Sequence, residues 1–182
     1  KFVGREDEIS EIFTFINSES ENILGIFGAA GIGKTALLIE IGYQCVRKEL
    51  FELVLYFPIR SLEIEDSNWF YDHFSEKLIS LIISIFEDRG VNLGSVKEFA
   101  SLKETLSRQR TIILVDGLDE VDRSVQDNLI DTLFILSKET KIIFTSRKVF
   151  DVPNSINLKG FSLDEFRSYV YHELDTSINK EF

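Results

Sequence analysis

The sequence predicts an α/β fold, a three-layer α/β/α sandwich around a mainly parallel five-stranded sheet, and three observations carry that expectation. Residues 23–27, 53–57, 112–115 and 142–144 are short runs that are apolar throughout instead of alternating, as strands buried on both faces must be. Segments with the 3.6-residue period of amphipathic helices lie between them, and regular alternation of helix with strand makes a sheet parallel. The first run also leads directly through a glycine-rich loop into a helix, the first half of a βαβ unit.

The elements follow in order. Ile9, Ile12, Phe13 and Ile16 keep the i, i+3, i+4, i+7 spacing, and Glu6, Asp7 and Glu8 suit the positive end of a helix. Residues 23–27 form the first strand. Residues 33–46 read as a helix with Leu37, Leu38, Ile41 and Cys45 inward. Residues 53–57 form a second strand closed by Pro58. A long helix is predicted next, with Phe70, Phe74, Leu78, Leu81, Ile82 and Ile85 on one stripe and Gly90 beyond its end. Residues 96–106 repeat the helical period through Phe99 and Leu102. Residues 112–115 are the third strand, Val125, Leu129, Leu133 and Leu136 mark another helix, and residues 142–144 are the fourth strand. Residues 155–158 are a weaker fifth, and a helix starts at Leu163. This divides the chain into a core, residues 1–160, and the start of a helical subdomain, residues 161–182.

Composition narrows the partners. With 31 acidic against 20 basic residues the net charge is −11, and no basic cluster exceeds a pair such as Arg47-Lys48. Duplex binding relies on basic stripes that displace counterions from phosphate, so this segment is expected to bind no nucleic acid. The most apolar stretch, residues 78–86, is far shorter than the ~20 residues a membrane helix needs. The one cysteine, Cys45, cannot form an intrachain disulfide, which suits a reducing, cytoplasmic compartment, and its helical spacing with Leu38 and Ile41 reads as a buried core thiol. His73 and His172 have no ligand-like neighbours. The chain contains no methionine and opens on Lys1, so an excised domain is expected.

The chemistry is concentrated in two stretches. Gly28-Ala-Ala-Gly-Ile-Gly-Lys-Thr35 matches G-x-x-x-x-G-K-[ST] between a predicted strand and a predicted helix. Gly28, Ala29, Ala30, Gly31, Ile32 and Gly33 let backbone N–H groups curl around phosphate oxygens, and Ala36 lies in the helix start that adds positive potential. Lys34 reaches the β- and γ-phosphates, and the Thr35 hydroxyl ligates magnesium. Ile112-Ile-Leu-Val-Asp-Gly-Leu-Asp-Glu120 then delivers Asp116 from a buried strand beside that loop, where it would hold Mg2+ through water, with Asp119 and Glu120 placed to orient or deprotonate the attacking water. Either acid could instead cap the next helix, and of the two Asp119 is favoured as the functional one.

Asp116-Gly-Leu-Asp-Glu120 resembles the metal-binding strand end of the NACHT group in the STAND class of P-loop NTPases, where a small residue follows the metal-binding acid and further acids lie beyond. Phe2-Val-Gly-Arg-Glu6 resembles the class's N-terminal segment, which implies that Val3, Gly4 and Arg5 pack on the adenine. Lys141-Ile-Ile-Phe-Thr-Ser-Arg147 resembles its sensor strand, which implies that Arg147 faces the γ-phosphate. Pro58-Ile-Arg60 resembles the end of its second strand. Leu158-Lys-Gly-Phe-Ser162, with Asp164-Glu-Phe166 and Tyr169, resembles the approach to its helical lid. The resemblance implies a slowly hydrolysing ATP/ADP switch with catalytic residues Lys34, Asp119, Glu120 and Arg147, whose nucleotide state controls self-association in signalling, innate immunity or related defence. Two other readings stand beside it. One is an AAA+ motor or nucleic-acid loader, which usually follows its metal aspartate directly with glutamate where Gly117 stands here. The other is a nucleotide-binding module without useful hydrolysis. A GTPase would need an N-K-x-D step, and Asn179-Lys180 is followed by Glu-Phe.

Overall fold

Five strands form one sheet in the order β2-β3-β4-β1-β5, and every adjacent pair is parallel. The computed structural model describes residues 2–61, 104, 106–161, 163, 166, 167 and 169–171. The elements are α1 (Glu6–Asn17), β1 (Ile23–Phe27), α2 (Lys34–Arg47), β2 (Leu53–Pro58), β3 (Thr111–Asp116), α3 (Arg123–Leu136), β4 (Lys141–Ser146) and β5 (Asn154–Asn157). Short 3-10 turns follow β2 at Ile59–Ser61 and β3 at Leu118–Glu120. The predicted long helix around Phe70–Ile85, the histidines and most of residues 96–106 fall outside the described residues, as does much of the lid segment.

Two apolar layers sandwich the sheet. On one face, Ile12, Phe15 and Ile16 of α1 and Leu37, Leu38, Ile41 and Cys45 of α2 pack on Leu24, Ile26, Ile112, Leu114 and Ile143. On the other, Val125, Leu129, Leu133 and Leu136 of α3 pack on Phe27, Ile113, Val115, Ile142 and Phe144. Because side chains alternate along a strand, Ile112 and Leu114 face one layer and Ile113 and Val115 the other, so a strand in this position must be apolar at every residue. All six residues of β3 are buried, and its four central ones, Ile112 to Val115, are apolar for that reason, with Thr111 and Asp116 at the two ends. Cys45 is buried, as its spacing predicts, and burial pushes its thiol up to about 11.

β2 departs from the expectation of a strand buried on both faces. It ends the strand order, and its burial alternates, with Val54, Tyr56 and Pro58 half-buried. The continuous apolar run therefore conceals one less-covered face. The fifth strand lies one residue earlier than predicted, at Asn154–Asn157, and pairs with β1 at the opposite edge. Residues 163, 166, 167 and 169–171 are helical, in keeping with a helix from Leu163. Among the described residues no helix is long and apolar enough to cross a membrane.

The strand order matters for function because β4 inserts between β1 and β3. It brings the carboxyl ends of all three strands to one edge, where ligands of parallel α/β sheets collect.

Candidate functional site

β1 ends at Phe27, and the chain turns through residues 28–33 into α2. The turn is tied to the sheet at its base, where the Gly28 N–H donates to the Ser146 carbonyl (3.3 Å) and the Leu158 N–H to the Phe27 carbonyl (2.8 Å). Gly33, just before α2, has φ 101°, a left-handed conformation that residues with a Cβ rarely adopt. Ala29, Ala30, Gly31 and Gly33 are exposed on the outer rim. The first N–H groups of α2, on Lys34, Thr35 and Ala36, have no acceptor inside the helix, and no acidic side chain in its first turn offsets their positive potential. Lys34 folds over the loop, its Nζ donating to the carbonyls of Gly28 (2.8 Å) and Ala29 (2.9 Å). Desolvation by burial lowers the Lys34 pKa, and the nearby Asp119 opposes that shift. The loop and the helix start thus set free backbone donors beside the Lys34 ammonium, a combination that can receive a phosphate chain.

Asp116 closes the site from β3. It is 6% exposed. Its carboxylate accepts from Thr35 Oγ1 at 2.9 Å to each oxygen, from Thr145 Oγ1 at 2.7 Å on Oδ1, and from Tyr56 Oη at 3.1 Å on Oδ2. One carboxylate beside one hydroxyl at the mouth of a phosphate site suits Mg2+, which takes few protein ligands and completes its octahedron with phosphate oxygens and water. Among the described residues no cluster of three or more His, Cys, Asp or Glu could hold a metal by protein groups alone. The pair Thr35 and Asp116 thus fits a metal shared with nucleotide. Tyr56 and Thr145 were not assigned a role from sequence. Tyr56 sits inside an apolar run, and only its hydroxyl signals anything beyond packing. Burial, then the Asp116 charge, push its phenol up to about 12, so it stays a donor.

Beyond Asp116 the chain reverses at Gly117, with φ 80° in the left-handed region. Its N–H donates to Thr145 Oγ1 at 2.9 Å, which pins the start of the 3-10 turn. Glu120 folds back over Gly117, and its carboxyl carbon lies 2.7 Å from where a Cβ at position 117 would stand. Asp119 turns toward β4 instead. Its carboxylate accepts from the Arg147 backbone N–H (2.7 Å) and from Arg147 Nε (2.5 Å). Burial alone would raise the Asp119 pKa, but the side-chain and backbone bonds from Arg147 and a bond from Ser146 outweigh it and hold the carboxyl below its ordinary value. Arg147, expected to face the γ-phosphate, and Asp119, expected to act on the attacking water, are thus brought together and paired with each other. Arg147 itself is largely exposed, and its pKa is raised, the Asp119 hydrogen bond being the main cause.

The N-terminal segment also reaches the loop. Arg5 has φ 69° and is 4% exposed, so it is no surface helix-start residue. Its guanidinium donates to the Ile32 carbonyl (3.1 Å) and to Glu8 (2.9 Å), and it lies 4.5 Å from the centre of the Phe161 ring. Gly4 is buried beneath Phe161, where a Cβ would stand 3.1 Å from the ring, and Val3 is half-buried beside it. Phe161 stacks in turn on Tyr169.

Residues 2–146 match the family described as ATPase domain predominantly from Archaea. An uncharacterized ATP-binding protein of Methanocaldococcus jannaschii is 39% identical over 120 residues, 65% of this chain and 32% of that protein. A second such protein of the same organism is 26% identical over 153 residues, 84% of this chain and 35% of its own length. The chain therefore spans about a third of the length of these curated relatives. Among solved structures it is similar to domain III of the Thermotoga maritima replication initiation protein DnaA, with a TM-score of 0.59 and 20% identity, covering 97% of this chain and 72% of that one. It is also similar to C. elegans PCH-2, with a TM-score of 0.54 and 13% identity, covering 88% of this chain and 45% of that one. At these identities the likeness to the solved structures is one of fold.

Proposed function

This chain belongs to the family described as ATPase domains predominantly from Archaea, and from that premise we propose that it is the ATP/ADP-binding, slowly hydrolysing core of a STAND-type, NACHT-like switch. The observation that carries the reading is the 2.9 Å bond between Thr35, at the start of α2, and Asp116, at the end of β3. It joins a phosphate cradle and a metal-binding acid in one site. Residues 28–36 would wrap the phosphates, Lys34 would meet the β- and γ-oxygens, and Thr35 and Asp116 would hold Mg2+. Bound there, the metal would offset charge on the β- and γ-oxygens. Val3, Gly4 and Arg5 would border the adenine, with Arg5 steadying the loop through Ile32.

The two acids divide the remaining work. Asp119 is committed to Arg147 by two bonds and is a weak base, so its role is to hold the arginine. Glu120, folded over Gly117, is the better choice for activating water, a reversal of the preference that the sequence suggested. Residues 161–182 are read as helical lid, and self-association would follow the nucleotide state, in signalling or defence.

Melting curves test the nucleotide reading. Ligand at 100 times its Kd adds about 2.7 kcal/mol. At roughly 2–4 °C per kcal/mol, Mg-ADP or Mg-ATP should raise the midpoint by about 5–11 °C. Lys34→Ala should remove most of the rise, and GTP should give less of one. A curve unmoved by saturating adenine nucleotide would sink the reading. Turnover then separates switch from motor: a switch should run well below the median of about 10 s⁻¹. The motor or loader alternative draws on the fold likeness to a replication initiation protein, and turnover of several per second with stimulation by DNA would favour it. A binding-only module would show the melting shift and no turnover above the Lys34→Ala background.

A further inference from the structure

We propose that Tyr56 is a positioning residue for the metal-binding carboxylate, held out from the edge strand to fix the orientation of Asp116. The inference rests on the metal assignment to Thr35 and Asp116. In the parallel register Tyr56 lies opposite Leu114, two residues before Asp116, and Pro58 lies opposite Asp116 itself. Side chains two residues apart share a face, so Tyr56, Leu114 and Asp116 all point toward the α2 layer. The long tyrosine side chain spans this diagonal, its Oη lying 3.1 Å from Asp116 Oδ2, a reach well beyond that of a serine or threonine. Tyrosine at this position therefore reaches the carboxylate where shorter hydroxyls cannot.

The contacts divide the carboxylate between its neighbours. Thr145, from β4, donates to Oδ1, and Tyr56, from β2, donates to Oδ2. Thr35 bridges both oxygens from α2. Thr35 is the hydroxyl assigned to the metal, and an oxygen that ligates a cation directs its lone pair, not its proton, at that cation. Once Thr35 is so engaged, Thr145 and Tyr56 are, among the described residues, the donors that hold the two oxygens from opposite sides. An ionised carboxylate is an acceptor only, so the phenol must donate. The ring of Tyr56 packs on the α2-side core, which phenylalanine would preserve.

The test is Mg2+ titrated calorimetrically into ADP-saturated protein, wild type against Tyr56→Phe, with Asp116→Asn beside them. Loss of a partner that orients a metal ligand typically costs 10–100-fold in metal affinity. Tyr56→Phe should weaken Mg2+ by about that factor, while ADP affinity measured in EDTA stays at the wild-type value. Asp116→Asn should abolish the Mg2+-dependent step. Mg2+ affinity unchanged or tightened in Tyr56→Phe overturns the inference, tightening being the outcome if the phenol only withdrew charge from the carboxylate. Equal losses of ADP affinity with and without Mg2+ also overturn it, because they assign Tyr56 to packing. Should the wild type itself show no Mg2+-dependent step, the metal assignment beneath the inference fails.

Discussion

Replacing Thr145 with valine should damage the protein out of proportion to the one atom changed. The Thr145 hydroxyl is buried, at 1% exposure, and performs two tasks. It donates to Asp116 Oδ1 at 2.7 Å and accepts the Gly117 N–H at 2.9 Å. Valine keeps the shape and removes both. A hydrogen bond to a charged group is worth about 1.5–3 kcal/mol, and a buried amide left without a partner costs about 1–3 kcal/mol. Asp116 keeps Thr35 and Tyr56, so the lower end applies to the first contribution. The added methyl returns roughly 0.8 kcal/mol. The net loss is about 2–4 kcal/mol, or roughly 4–16 °C in midpoint for a domain of this size. Thr145→Ser keeps the hydroxyl and drops one methyl, for about 0.5–1.5 kcal/mol. Denaturant unfolding of the nucleotide-free protein, followed by circular dichroism, compares the two. If valine costs no more than serine, the hydroxyl is not what holds the Gly117 turn, and the account of how Leu118–Glu120 is placed is wrong.

The other predictions concern the acids and the arginine. Glu120→Gln should slow single-turnover hydrolysis by about 10²–10⁴-fold with ATP affinity kept, as loss of a general base does, and Asp119→Asn should cost less. An equal or greater loss from Asp119→Asn would return the base to Asp119. Arg147→Ala should narrow the ratio of ATP to ADP affinity, because only the triphosphate offers a γ-phosphate for the guanidinium to meet. An unchanged ratio in parallel titrations would confine Arg147 to its contact with Asp119. The same variant carries a pH signature: Asp119 is held below its ordinary value by Arg147, so the stabilisation is present above about pH 4 and lost as pH falls further. The stability gap between wild type and Arg147→Ala should be flat from neutral pH to about pH 5 and close in stronger acid. A gap that widens in acid would contradict the pairing.

Much of this architecture is written locally. The eight residues from Gly28 to Thr35 are contiguous, so the motif and its place between a strand and a helix are readable from the sequence alone. The central strands were legible for a similar reason, since a strand covered on both faces needs an apolar run in its middle, as Ile112 to Val115 of β3 and Ile142 to Phe144 of β4 supply. The helices α2 and α3 announce their buried stripes by period alone, whereas in α1 Ile12 and Ile16 are buried as expected, Ile9 and Phe13 are half-buried, and Phe15 is buried outside the expected stripe. Alternation in β2 was invisible because its less-covered face is still apolar except for the Tyr56 hydroxyl, and position at the sheet edge is not a property of the strand's own sequence. Only the tertiary structure inserts β4 between β1 and β3, and that single choice of order sets Thr145 against Asp116 and Arg147 against Asp119, contacts that span 29 and 28 residues. It likewise brings Tyr56 to Asp116 across 60 residues and buries Arg5 against Ile32 across 27. Helix and strand periods report which face of an element is covered, and they carry no record of which other element covers it. The parts of the site were therefore readable one by one, while the pairing of Arg147 with Asp119 came from segments that meet only when the sheet assembles.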